Sequence, residues 1–506
     1  MNRNYKPLTT PGTEKNFSNP ALWIILIIYI IGAGSGILHH ELWGDEIHSW
    51  NIAKGSDSIS DLIINTRYEG HPPLWYTILW VISKFTHDTF SFQVVHFLIA
   101  CGVVFLILFY SPFPIATKIL LPFGYFFLFE YAVISRNYSI GILVAFCLCV
   151  IMHRNFKGKL LLYYSLLFLL CNTHILSILL ACSLHLYFLM LNFEQNKKTN
   201  WLALHVVVGM IISLPAIYFV FPPSDSGLNI EFWANKWSLD HVKVIVQAPV
   251  RSFIPIPQWS EYHFWDTNLL IGTITNWLIP VISATLILSA IIVLKKNRKC
   301  LYLFLLNLLL ILVLSLIIPF TNARHVGFIF IGFMVALWFF CNRQKLHYGE
   351  RIIILSLLVF QVIGAAVATI KDGRYPFSNG RQVIDLLNKI PPQEKVVTDY
   401  WCLNNLVAFS NKPYYCIELG REASFLLWND ELKSALNRTD RYSNGISAFL
   451  RMESLKKVHM VSIQGPARLS QLDSKLETFF NVKLLDKTAG AIEKGSDLYL
   501  YEITPK

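Results

Sequence analysis

"ALWIILIIYIIGAGSGIL", residues 21–38, decides the fold class. The run holds no charged side chain, and about 20 apolar residues are what a helix needs to cross a bilayer. No clear small-x-small cleavage site follows it, so it reads as an uncleaved first span rather than a signal peptide. Working outward, further apolar segments lie at roughly 72–87, 91–110, 115–134, 138–152, 160–173, 174–192, 202–221, 268–294, 301–319, 326–341 and 352–370. Several are shorter than a full crossing, which marks them as tilted, broken or interfacial. The expected fold class is a polytopic α-helical membrane protein of about 11–13 transmembrane helices.

Composition agrees. The chain has 506 residues, 54% hydrophobic and 15% charged, against about 25% charged in an ordinary globular chain. The formal charge of +11 does not point to nucleic acid. It sits in short clusters between apolar runs: "HRNFKGK" (153–159), "NKK" (196–198), "KKNRK" (295–299) and "NRQK" (342–345). That is the pattern of cytoplasmic loops, and no nucleic-acid-binding motif accompanies it. Seven of the nine cysteines lie in apolar segments and read as small core residues. Cys402 and Cys416 lie in the polar tail, where a disulfide is open if the tail is outside the cytoplasm.

Polar stretches at 39–71 and 222–266 interrupt the array. The first holds two short amphipathic patterns, Ile47/Trp50/Ala53 and Ile59/Leu62/Ile63, which read as interfacial helices in the first outer loop. Residues 1–20 form a polar, cytoplasmic tail, 21–370 the membrane domain, and 371–506 a soluble C-terminal domain. In that domain "KVVTDY" (395–400), "KVHMVSI" (457–463) and "LYLYEI" (498–503) are strand-like, and "RLSQLDSKLETFF" (468–480) is helix-like. Alternation of this kind predicts a small α/β fold. The basic loops place the C-terminal domain outside the cytoplasm. Twelve spans would return it inside, so one segment, expected between 72 and 134, is not a crossing.

With that placement the polar signals share one face. They are Asp45 and Glu46, "EGHPPLWY" (69–76) with His71, "SRNYS" (135–139) with Arg136 and Tyr138, His174, and Arg324 with His325. Charged groups near spans cost several kcal/mol unless paired or wet, so the set predicts an outer polar cavity. Any of them can instead be a helix-end residue that snorkels to water, and several have a plain alternative of their own. Asp45 can cap a helix with Glu46 as a first-turn acid. The prolines after His71 can simply open a span. Arg136 can pair with Glu130, although favourable helix pairs sit three or four residues apart. His174 can cap a helix break. The aromatic loop "EFWANKW…PIPQWSEYHFW" (231–265) suits sugar or interface equally.

The order of these motifs resembles bacterial GT-C glycosyltransferases. It is similar in particular to glycosyltransferase family 39 and its relatives, the protein O-mannosyltransferases and lipid A aminoarabinose transferases. The likeness covers about residues 20–370 in layout, and its specific part is the first loop. It implies an inverting transfer from a polyprenyl-phosphate sugar to a hydroxyl on a cell-envelope protein, lipid or glycan, at a bacterial inner (plasma) membrane. The family's loop acid falls on Asp45, a general base for a poorly nucleophilic hydroxyl. Adjacent helical residues point about 100° apart, so Glu46 is expected to bind sugar, tune Asp45 or hold an ion with it. Arg136 and Arg324 suit the lipid phosphate, with Tyr138 and His325 adding hydrogen bonds. His71 and His174 are expected on the substrate. No cofactor and no metal are expected, with a divalent cation as the only option. The competing class is a transporter or flippase of lipid-linked sugars, which an internal repeat would favour; none is visible. A tail-driven sensor would leave the polar span residues unexplained. An oligosaccharide transferase or polymerase is the alternative among enzymes.

Overall fold

The computed structural model describes residues 16–152, 154, 156–196, 199–227, 239–318 and 322–506. Among these, seven helices are long and apolar enough to cross a membrane: Pro20–His39, Phe90–Tyr110, Ile175–Glu194, Thr199–Val220, Arg298–Ile317, Ala323–Cys341 and Tyr348–Asp372. Leu74–Ser83, Tyr138–Met152, Lys159–Cys171 and Leu278–Leu294 are shorter apolar helices. The chain is a multi-pass α-helical membrane protein with a soluble α/β domain at its C-terminal end.

Two compact units divide it. The first comprises Met1–Leu38, Val94–Val220 and Ile230–Lys371. Its buried centre is helix 323–341, in which Val326 to Phe340 are all buried. Leu22, Leu26, Tyr29 and Ala33 of helix 20–39 pack on Ala100, Val104 and Leu108. Asn307 Nδ2 donates to the Phe328 carbonyl at 3.0 Å. A side chain at Gly332 would meet that amide, the close approach that small residues permit between membrane helices. Segment 115–134 is broken into Ile115–Leu120, Leu121–Phe123 and Phe126–Glu130, where Pro122 and Gly124 interrupt the helical ladder. The 222–266 stretch is not all loop: Leu239–Phe253 is a helix whose Ala248, Val250 and Phe253 are buried. Its polar neighbours and internal Pro249 disguise it in the sequence. "EFWANKW" falls outside the described residues.

The second unit comprises His39–Gln93, Phe221–Asn229 and Asp372–Lys506. It therefore joins the first polar loop to the C-terminal domain. Leu74–Ser83, read as part of a span at 72–87, belongs here. At 10 residues it is about 15 Å long, half the bilayer core. The loop helices form as expected, at Gly44–Gly55 and Ile59–Thr66. Ile47, Trp50 and Ala53 are fully buried, so the apolar face of helix 44–55 packs on protein rather than on lipid. Helix 59–66 buries Leu62 and exposes Ile59, Ile63 and Ile64.

The C-terminal domain is built on a six-stranded sheet ordered β3-β2-β1-β4-β6-β5. The strands are β1 Val396–Thr398, β2 Tyr414–Cys416, β3 Arg421–Ala423, β4 Val458–Ser462, β5 Phe480–Lys487 and β6 Tyr499–Pro505. β2, β1 and β4 are parallel, and the other pairings are antiparallel. The three strand-like runs of the sequence are β1, β4 and β6. The helix-like run 468–480 is two short helices, Pro466–Leu472 and Leu476–Phe479. They part at Asp473, which caps instead: it accepts from the Ser443 and Lys475 amides. Cys402 and Cys416 are free thiols buried in one apolar cluster, so the disulfide left open by the sequence is absent. The cluster explains them as small core residues.

Candidate functional site

The candidate residues fall in both units. Asp45, Glu46 and His71 lie in the second, and Arg136, Tyr138, His174, Arg324 and His325 in the first.

In the second unit, the extended backbone of Trp43 starts helix 44–55. Asp45 and Glu46 occupy its first turn. Trp43, not Asp45, is the cap residue. Glu46 turns back: its Oε2 accepts the Trp43 N–H and faces His40 Nε2, both at 3.1 Å. The Glu46 side chain is fully buried. These contacts give Glu46 a structural partner on the turn that also carries Asp45. Its carboxylate makes the Glu half of a capping box and satisfies an otherwise open backbone donor, while the Trp43 indole has no acceptor to return the bond. Asp45 remains half-buried on the rim of the same turn. Helix geometry sends the neighbours in different directions, and the structure shows which one is turned inward.

One turn beyond Asp45 stands His48. Its Nε2 lies 3.0 Å from Glu69 Oε1, and the Asn404 amide lies 3.3 Å from its Nδ1. Glu69 Oε2 accepts from Tyr76 at 3.2 Å. Burial would lower the His48 pKa, but the Glu69 charge and hydrogen bond, helped by Asp45, raise it above the ordinary value. His48, Glu69 and Asn404 were missed as site residues. Only Glu69 carried a signal, as the residue opening "EGHPPLWY". His71 is half-buried just after the left-handed Gly70 (φ 65°). That turn between the short helix at Arg67–Glu69 and helix 74–83 is where the two prolines sit.

In the first unit, Tyr138, His174 and His325 come together. Tyr138 opens helix 138–152, and its ring centroid is 4.8 Å from His174 and 6.1 Å from His325. His174 is buried immediately before helix 175–196 and bonds Ser177 through Nε2 at 2.9 Å. It also accepts the Ser177 amide at Nδ1. This is the capping role that the sequence offered as its alternative. Gly141 makes room for it, since a Cβ there would sit 2.3 Å from Ser177 Oγ. Arg136 is 8% exposed.

Arg324 and His325 lie in the first turn of helix 323–341. A cation is unfavourable at that end of a helix. The Asp266 carboxylate compensates by accepting the Ala323 amide at 3.1 Å. Burial raises the Asp266 pKa, and the Arg324 and Arg251 charges oppose the rise. Arg324 also lies over the Trp265 ring at 5.2 Å. Tyr131 donates to its carbonyl at 2.6 Å. Glu130, weighed as a partner for Arg136, instead accepts Tyr125 at 2.7 Å and Trp265 at 3.2 Å through Oε2. Trp265 thus links the end of the 222–266 stretch to this cluster, and nothing in its spacing marked it above its aromatic neighbours.

No family model matches the chain, and no curated relative does. Among solved structures it is similar to ArnT from Cupriavidus metallidurans, both bound to undecaprenyl phosphate and in the apo state. Identity is 13% and the TM-score 0.46 in each case, over 95% of this chain and 98% or 97% of the other. A likeness of this size assigns no activity to the chain.

Proposed function

We propose that the protein is an inverting glycosyltransferase of the GT-C kind. It moves a sugar from a polyprenyl-phosphate donor to a hydroxyl acceptor on the extracytoplasmic face of a bacterial plasma membrane. The observation that carries this reading is the division of labour at residues 45 and 46. One carboxylate is consumed by structure, and the other is held on the same turn, half-open, beside a hydrogen-bonded His48–Glu69 pair. A helix cap alone would need one carboxylate, not two.

In this reading Asp45 takes the acceptor proton as the acceptor oxygen attacks C1. The bond between C1 and the phosphate oxygen breaks, and its electron pair leaves with the polyprenyl phosphate. Attack opposite the leaving group inverts the anomeric centre. The phosphate-binding role falls by chemistry on Arg324 and Arg136, since a guanidinium can hold two phosphate oxygens at once. The amides at the start of helix 323–341 favour an anion there as well. His325 and Tyr138 add hydrogen bonds, while His174 positions the Tyr138 ring. His48 and Glu69 order the turn that carries Asp45. No step uses a metal. The C-terminal domain lies on the reacting side.

The test is conversion of polyprenyl-phosphate sugars by the purified chain in nanodiscs, with cell-envelope extract as acceptor. The expected result is donor consumption with an inverted anomeric centre in the product. Movement of intact donor between leaflets without consumption would replace this reading with a flippase.

A further inference from the structure

We infer that the C-terminal domain carries a saccharide-binding platform, built on Trp401 and Trp428 and edged by Asn404, His48 and Glu69. This rests on the transferase reading only for the role of the bound glycan, which is the acceptor.

The platform stands at the switch point of the sheet. From β1 the chain passes through helix Tyr400–Ser410 to β2 on one side, and later reaches β4 on the other. Crevices at the carboxyl ends of parallel strands, where the order reverses, are where open α/β sheets bind ligands. Asp399 directly follows β1 and accepts Ser462 at the end of β4, so the two strand ends are tied. Its Oδ1 also caps helix 400–410 through the Cys402 amide at 2.8 Å. The first turn of that helix presents Tyr400 and Trp401.

Three aromatic rings meet there. Tyr400 lies 4.4 Å from Trp401 and 5.8 Å from Trp428, and the tryptophans are 6.4 Å apart, edge to face. Trp401 is 50% exposed. Trp428 is held from behind, its carbonyl accepting from Gly227 N at 2.8 Å and Ser226 Oγ at 3.0 Å. The Tyr400 hydroxyl is buried with no hydrogen-bond partner among the described residues. Polar groups border the rings. The His48 ring is 6.0 Å from Trp428, and Asn404 and Glu69 both bond His48. Asn51 fixes the Asn404 carbonyl at 2.9 Å, locking helix 400–410 onto helix 44–55.

An apolar ring face beside an amide and a carboxylate matches the chemistry of a sugar, which offers C–H faces and a rim of hydroxyls. Bilayer anchoring needs only the rings. The half-buried Asn404 amide at the border of the rings suits a ligand that carries hydroxyls.

The experiment uses the full chain in nanodiscs labelled with 5-fluorotryptophan, with Trp401→Phe and Trp428→Phe assigning the two signals. The probes are chitotriose and size-fractionated envelope glycans. The expected result is saturable shifts of both signals, unchanged in Asp45→Asn and weakened about tenfold in Trp401→Ala. Silence to every glycan overturns the proposal. So does a shift with a serine-rich peptide alone, or quenching of Trp401 by brominated lipid. Glycan binding without transfer by the wild type would leave the platform standing and the transferase reading refuted. Transfer whose acceptor KM ignores Trp401→Ala would do the reverse.

Discussion

Glu46 Oε2 lies 3.1 Å from His40 Nε2, and the opposite ring nitrogen of His40 lies 3.2 Å from Asp372 Oδ2. Each ring nitrogen of a buried histidine therefore faces a carboxylate. Burial alone would lower its pKa, but the Asp372 and Glu46 charges and hydrogen bonds raise it to about 10. A raised pKa gives stability that is fully present below the ordinary value near 6.5 and is lost as pH rises toward 10. Histidine NMR is expected to show His40 doubly protonated at pH 8. His40→Gln leaves two buried carboxylates uncompensated, at a cost of about 3–5 kcal/mol. Its thermal unfolding should also lose the alkaline fall in stability seen in the wild type. An unchanged melting curve would contradict the ion triad.

The pairing of His48 with Glu69 gives a second expectation. Glu69→Gln removes the main charge that holds the His48 pKa up. With burial then unopposed except by Asp45 and Asn404, the His48 titration should move down. The same NMR experiment reads it, and turnover is expected to fall with it. A His48 titration that stays in place would show that the pair does not couple.

Gly141 is the contact point for His174. Gly141→Ala places a methyl within 2.3 Å of Ser177 Oγ and 3.1 Å of His174 Nε2. Overpacking of this kind costs about 1–3 kcal/mol. Thermal stability in detergent should drop, and phosphate affinity should weaken as Tyr138 shifts. Full stability in the variant would mean that helix 138–152 slides freely at this point.

Metal removal supplies a fourth expectation. Donor consumption should survive a chelator and gain nothing from added Mg²⁺ or Mn²⁺. Loss on chelation with recovery on adding one ion would assign the ion a role beside Asp45.

Much of this was legible in the chain. Hydropathy marked the membrane helices because a span must be apolar along its whole length. Three strands showed themselves through β-branched and aromatic runs. β2 and β3 are as short as β1, three residues each, but Tyr414–Cys416 and Arg421–Ala423 lack the β-branched pair that opens β1 at Val396. Segment 72–87 looked like a span because its run is apolar on both faces, but its helix is only 10 residues long and buries one face, at Trp75, Tyr76 and Leu79. Asp45 was marked by its motif, but the fate of Glu46 was not. Its partner His40 is close in sequence, while Asp372 is 332 residues from His40. The same distance hid Asn404 beside His48, since a contact across 356 residues leaves no local trace.

The most direct test of the account is a paired comparison of Asp45→Asn and Glu46→Gln, each assayed for glycosyl transfer and for thermal stability. The account predicts that Asp45→Asn keeps the wild-type melting temperature and loses turnover by a factor of about 10² or more. Glu46→Gln should do the opposite, melting earlier while its folded fraction turns over within a few-fold of wild type. Equal turnover in Asp45→Asn and wild type, or a Glu46→Gln variant that is stable and inactive, would contradict it.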